Sequence, residues 1–244
     1  MNITDAQFWT ALLQIIGINI MLSGDNAVVI ALAARSLPAV QQRQAIRWGS
    51  GAAVVMRIVL TLVAVKLLEL PWLKLIGAVL LLWIALQLLL PEDGRGDQKD
   101  ARAGMMAAIK AILAADLVMS LDNVLAVAGA ANGSLPLLIV GLAISIPLVV
   151  FASTLLLKLM SRWPIIITLG AALLGWVAGE MMVSDVVTEA WIAMNAHWLH
   201  YAVPTVCTVL VVVVGKWLGE RRLAVINATP LVDLAAGDSQ QDKP

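Results

Sequence analysis

The sequence predicts an all-α polytopic membrane protein with seven transmembrane helices, an inverted repeat of two three-helix units plus one extra helix. Three observations predict it. Only 13% of the 244 residues are charged and 61% are hydrophobic, against about 25% charged in an ordinary soluble chain. The apolar residues fall in runs of about twenty rather than in amphipathic stripes, the length that crosses a bilayer as a helix. Two of those runs carry the same polar string, Ser23-Gly24-Asp25-Asn26 and Ser120-Leu121-Asp122-Asn123.

The first span, 8–34, lacks a basic n-region ahead of it and so acts as its own insertion signal. The second, 47–67, follows Pro38 and the bases Arg35, Arg43 and Arg47. The third, 72–90, lies between Pro71 and Pro91, and the fourth, 105–131, follows Arg95, Lys99 and Arg102. The fifth, 135–158, begins beside Pro136 and ends at Lys158 and Arg162. The sixth, 164–183, opens at Pro164, and the seventh, 200–218, ends among Lys216, Arg221 and Arg222. Prolines at these junctions are where helix breakers belong. The opposite junctions carry mixed or acidic residues: Asp5, then Lys66, Glu69 and Lys74, then Asp185 and Glu189. The basic excess on one side puts the N-terminus outside and the C-terminus in the cytoplasm. Residues 1–222 are expected to form one transmembrane domain, and the polar stretch 223–244 a disordered cytoplasmic tail. The tryptophans suit interfacial anchoring, with Trp83 and Trp176 as matched exceptions at depth.

The repeat is visible in a second place. Gly77-Ala78-Val79-Leu80-Leu81-Leu82-Trp83-Ile84-Ala85-Leu86-Gln87 matches Gly170-Ala171-Ala172-Leu173-Leu174-Gly175-Trp176-Val177-Ala178-Gly179-Glu180 at six of eleven positions. Spans one to three, about 8–90, therefore repeat as spans four to six, about 105–183. Three is odd, so the second copy enters from the opposite face. Such folds place a substrate site near the midplane, where the repeats meet.

Composition narrows the function. Sixteen basic and sixteen acidic residues give zero formal charge, which offers nothing to a nucleic acid or other polyanion. Cys207 is the single cysteine, so there is no intrachain disulfide and no cysteine-based metal centre. What stands out is the intramembrane charge. A carboxylate at mid-bilayer costs roughly +2.5 to +3.5 kcal/mol on insertion scales, and Asp25 and Asp122 incur that cost in the same local pattern.

Spacings of four and three put Asp116, Ser120 and Asn123 on one helix stripe, and Asn19, Ser23 and Asn26 on its counterpart. Asp25 and Asn26 point about 100° apart on a straight helix. Both reach one ligand only if the helix is irregular, for which Gly24 offers a break; otherwise each faces a different neighbour. Carboxylates, amide carbonyls and hydroxyls are hard oxygen donors suited to magnesium, calcium or manganese. His197 and His200 lie outside spans one and four, which weighs against tetrahedral zinc. The expected metal ligands are Asp25, Asn26, Asp116, Asp122 and Asn123; Asn19, Ser23, Ser120, Glu180 and Arg57 are supporting or pathway residues. Amides and hydroxyls also bond membrane helices to one another without any ligand. Arg57 either neutralises one excess carboxylate or forms a structural ion pair, and Glu180 either joins the pathway or sits at the outer mouth near Asp185.

Three segments carry a family resemblance: Ser23-Gly24-Asp25-Asn26-Ala27-Val28-Val29-Ile30-Ala31-Leu32, Ser120-Leu121-Asp122-Asn123-Val124-Leu125-Ala126 and Gly175-Trp176-Val177-Ala178-Gly179-Glu180. The chain resembles the TerC family of integral membrane proteins, in particular its YjbE-like branch, over about residues 8–220. The resemblance implies a multi-pass protein of the bacterial inner membrane that exports a metal ion, most plausibly manganese, and is related to LysE-type exporters. The family also bears a tellurium-resistance label. Its pattern usually has an acidic residue where this chain has Asn19.

The expected function is secondary export of a divalent cation, with the lipid bilayer and the ion as partners, protons as a possible counter-ion, and no enzymatic activity or resident cofactor. No G-x-x-x-x-G-K-[ST] string occurs, which weighs against ATP hydrolysis. Two other readings compete. An amino-acid exporter of the LysE type needs a cationic patch, for which only Arg57 is placed. An intramembrane aspartyl protease would use two aspartates sharing a proton; the chain lacks the Gly-x-Gly-Asp string and has a single tyrosine, Tyr201.

Overall fold

The computed structural model describes residues 6–68, 70–90, 101–131 and 135–228. Within the helices, the side chains at 6–8, 11, 15, 18–23, 62, 64–68, 101–102, 121–131, 135, 137–138, 145 and 225–228 lie outside the described residues. The chain forms α1 (Ala6–Ala34), α2 (Ala39–Leu68), α3 (Leu73–Leu89), α4 (Ala101–Ala131), α5 (Leu135–Arg162), α6 (Ile165–Val183), α7 (Val186–Asn195) and α8 (Leu199–Ala228). Among the described residues there is no strand. An all-helical answer suits a bilayer, because each helix satisfies its own backbone polar groups. Segments of α4, α5, α6 and α8 are each long and apolar enough to cross a membrane.

Seven of the eight helices coincide with the expected spans, and the differences lie at their ends. α2 begins at Ala39, directly after Pro38, and α8 continues to Ala228. Residues 223–228, expected in a disordered tail, are therefore helical; 229–244 lie outside the described residues. Helices outlast the apolar run because their ends emerge into water, where Arg221 stacks on the Trp217 ring with its guanidinium carbon 3.7 Å from the centroid. α1 is continuous through Gly24, so no break forms there. One helical glycine costs only about 1 kcal/mol relative to alanine, less than leaving backbone groups unpaired in lipid.

α7 was not expected. Asp185 starts it, its Oδ1 accepting from the Val187 N–H at 2.9 Å. The same carboxylate accepts from the N–H groups of Trp72 (3.3 Å), Lys74 (3.1 Å) and Leu75 (3.3 Å) at the start of α3. Asp185 is 1% exposed and caps two helices at once. Trp72 has a φ of 70°, a left-handed conformation unusual for a bulky residue, and its N–H bond to Asp185 helps to hold it. This contact puts the end of α6 beside the start of α3, so these packed helices run antiparallel.

The packing is nearly unchanged when α1, α2 and α3 are exchanged for α4, α5 and α6. α1 packs extensively on α5, and α2 on α4. α1 meets α4, α2 meets α5 and α3 meets α6, while α8 lies on the two third helices, α3 and α6. Burial repeats too: Ala78, Leu81 and Ala85 are fully buried, as are their matches Ala171, Leu174 and Ala178. The matched glycines also face matched neighbours. A Cβ on Gly77 would stand 3.1 Å from Val118 of α4, and one on Gly170 would stand 2.7 Å from Val28 of α1. The matched tryptophans differ: Trp83 is 57% exposed, while Trp176 is half-buried.

α6 and α8 approach closely because α6 presents Gly175 and Gly179, a small-x-x-x-small spacing. A Cβ on Gly179 would stand 2.7 Å from the backbone nitrogen of Pro204, whereas one on Gly51 meets nothing within 4 Å. Gly179→Ala is expected to destabilise the protein by about 1–3 kcal/mol through overpacking. Gly51→Ala should be neutral or stabilising. Thermal unfolding of the two variants in detergent checks the difference; equal midpoints would contradict the packing.

Candidate intramembrane polar site

A polar centre sits where α1, α2, α4 and α5 meet. α2 contributes Ser50 and Arg57, α4 contributes Asp116 and Ser120, and α1 contributes Asn26. All five are at most 6% exposed. Their other neighbours are apolar, including Ile30, Ala53, Leu142, Ile146 and Val149, so a charge here has little water to rely on.

The charges satisfy one another. Arg57 Nη2 forms an ion pair with Asp116 Oδ1. Arg57 Nε donates to Ser120 Oγ at 3.0 Å, and Ser120 Oγ donates to Asp116 Oδ2 at 3.2 Å. The three side chains close a ring in which both carboxylate oxygens are engaged. Thr61 Oγ1 donates to the Arg57 carbonyl at 2.7 Å. A buried pair persists only when hydrogen bonds of this kind complete it.

Beside the ring lies a cavity of about 20 Å³ lined by Asn26, Ser50, Arg57 and Asp116, enough for roughly one water molecule or a bare ion. Ser50 Oγ is buried there with no hydrogen-bond partner among the described residues. Buried hydroxyls ordinarily find a partner, so this oxygen is one that a small ligand can use. The sequence reading passed over Ser50, although Gly49-Ser50-Gly51 interrupts an apolar run and was a usable signal.

Asp25 and Asn26 face different neighbours on the unbroken α1. Asn26 lines the cavity; Asp25 is half-buried and does not line it, and the carboxylate on its side of α1 is Glu180 of α6. Glu180 is exposed and lines a recess with Ser184, His197, His200 and Tyr201. Asp185, grouped with it in the sequence reading, is instead a buried helix cap. The side chains of Asn19, Ser23, Asp122 and Asn123 lie outside the described residues; α4 carries positions 116, 120 and 123 on one stripe, and α1 does the same for 19, 23 and 26. The structure thus brings together Asn26, Arg57, Asp116 and Ser120, and sets Asp25 with Glu180 on another face of α1. Among the described residues no group of three or more histidine, cysteine, aspartate or glutamate side chains is arranged to hold a metal.

Comparison with known proteins agrees with this architecture. Residues 4–223 match the family described as "Integral membrane protein TerC family". The chain is 45% identical over 175 residues to the Bacillus subtilis membrane protein YjbE, covering 72% of this chain and 80% of that one. It is 24% identical to Bacillus subtilis YkoY over 216 residues, 80% and 66% of the two chains. It is 25% identical to the Escherichia coli K12 inner membrane protein YgdQ over 180 residues, 66% and 75% of the two. No solved structure matches.

Proposed function

The chain belongs to the TerC family of integral membrane proteins, and from that premise we propose that it is a secondary transporter exporting a divalent metal cation, with manganese as the cargo. One observation carries the reading: a closed ring of buried charge beside an ion-sized cavity that Asn26, Ser50 and Asp116 reach with oxygen atoms, within an otherwise apolar bundle. Asp116 and Arg57 are both departures from the repeat. Asn19 stands at the position matching Asp116, and no charged residue occurs between Leu135 and Leu157 on α5. The two departures pair with each other and cancel. The repeated carboxylates Asp25 and Asp122 then remain, a combined charge that matches a divalent cation; Asn26 and Ser50 offer neutral oxygens at the cavity, and Asp25, on another face of α1, serves a second station of the same path. In this reading Asp116 is the counter-charge of Arg57 and shapes the cavity.

The same reading takes the chain as seven spans in an inverted repeat, N-terminus outside and C-terminus cytoplasmic, in a bacterial inner membrane. The antiparallel α3 and α6 and the matched burial of their core positions support the repeat. Glu180 and the recess around it lie on the outward path from Asp25. The relation to LysE-type exporters belongs to this proposal, but amino acids suit the site poorly: Arg57, the cation at its centre, is already held by Asp116 and Ser120.

Proteoliposomes carrying the purified protein and an internal pH-sensitive dye test the proposal. Manganese flux accompanied by opposite proton movement is expected, because a metal displaces protons from its ligands. Absence of flux for every divalent ion in a panel would overturn the transporter reading. Metal flux without proton movement at clamped voltage would leave a uniporter.

A further inference from the structure

The end of the bundle where α1 turns into α2 carries a second feature, outside the intramembrane site. A cleft of about 500 Å³ opens between the α1–α2 turn, the start of α2 and the end of α5. Arg35, Arg43 and Lys158 line it, and Arg47 joins Arg43 and Lys158 in an adjoining recess of about 250 Å³. Among the described residues, no acidic one lines either of them. Arg43, Arg47 and Lys158 are exposed, and none of them has a carboxylate within ion-pair distance among the described residues. The rim is fixed: Arg35 Nη2 donates to the Leu90 carbonyl at 3.0 Å, and Gln42 Nε2 to the Arg35 carbonyl at 3.1 Å.

The cleft also has an apolar side. Ile46, Leu157 and Ile167 form part of its wall. Exposed Trp48 (72%) follows Arg47, and exposed Trp163 (54%) follows Arg162, two residues after the cleft-lining Ser161. Tryptophan beside basic residues marks the level where a membrane protein meets the headgroups. A concave site with three cations, apolar walls and an interfacial rim matches a phosphodiester joined to acyl chains, and basic pockets between membrane helices take such headgroups.

We propose that this cleft binds the headgroup of an anionic phospholipid, with Arg43 and Lys158 on the phosphate and the lipid chains against Leu157 and Ile167. The site is separate from the Arg57–Asp116 centre, and the inference holds whether or not the protein carries a metal. Two other occupants are chemically possible: a free phosphate species, and the acids Glu92, Asp93 and Asp97 of this chain, which follow Leu90 in sequence.

The test uses the full chain purified in non-ionic detergent. Binding of phosphatidylglycerol and of phosphatidylcholine with identical chains is titrated by native mass spectrometry and by thermal stabilisation. Inorganic phosphate is the third probe. Each basic residue near an anionic lipid is worth on the order of fivefold in affinity. Phosphatidylglycerol should therefore bind more than tenfold tighter than phosphatidylcholine, and Arg43→Gln with Lys158→Gln should weaken it about 25-fold. The charge-preserving pair Arg43→Lys with Lys158→Arg should restore binding, which separates lost charge from lost folding. Equal binding of the two lipids, or a preference that survives the double neutralisation, would overturn the proposal. Inorganic phosphate competing at equal concentration would assign the cleft to a free anion instead. A preference that emerges only in a Glu92→Gln, Asp93→Asn, Asp97→Asn variant would assign it to the chain's own acids.

Discussion

Replacing Asp25 or Asp122 with asparagine is expected to abolish manganese export while leaving membrane insertion intact. Asparagine keeps the size and one oxygen acceptor of aspartate but removes the charge. Insertion should not suffer, because a neutral amide is easier to place in hydrocarbon than a carboxylate. Binding should suffer severely. Groups that merely support a metal ligand are worth about 10- to 100-fold in affinity, so losing half of the net negative charge that faces a divalent ion should cost more than about 100-fold. Both variants should reach the membrane in normal amounts and fail to protect cells overloaded with manganese. Wild-type protection by either one would remove that carboxylate from the site. Protection by Asp122→Asn alone would instead make Asp25, with Glu180 near it, the whole of the anionic site.

Much of this architecture was legible in the sequence because the bilayer leaves few options. Runs of apolar residues ended by proline gave the long helices, and the Gly77–Gln87 and Gly170–Glu180 match pointed to positions that prove buried in both copies. The short α7 was missed because ten residues make no span; its signal was Asp185 followed by Glu189, a cap and a first-turn acid. That Asp185 also caps α3 could not be read, since the two lie 110 positions apart in the chain. The site was legible as a set of residue types and obscure as a geometry. Helical periodicity set Asp25 and Asn26 about 100° apart, yet only the packing of α6 and α2 shows which neighbour each one faces. Pairing of Arg57 with Asp116 was one of two options for the arginine, and periodicity within either helix could not choose between them.

The pairing itself makes the second large prediction. Arg57→Met or Asp116→Leu alone leaves a buried charge without its partner, which costs about 3–5 kcal/mol. In a protein of this size that is a fall in thermal midpoint on the order of 10 °C. Changing both at once removes both charges, and buried pairs replaced by apolar residues of similar volume are often neutral or more stable. The double variant should therefore recover most of the lost stability, a coupling read directly from a thermal-unfolding double-mutant cycle. Function then discriminates between two roles for Asp116. As the counter-charge of Arg57 it contributes nothing to the net charge seen by a metal, so the stable double variant should bind manganese within about tenfold of wild type, a shift of roughly 1.4 kcal/mol. Additive destabilisation would show that the pair does not hold the helices together. Recovered stability with manganese binding lost would make Asp116 a ligand, one that must leave Arg57 to reach the ion. The ion pair would then be a latch that opens during transport.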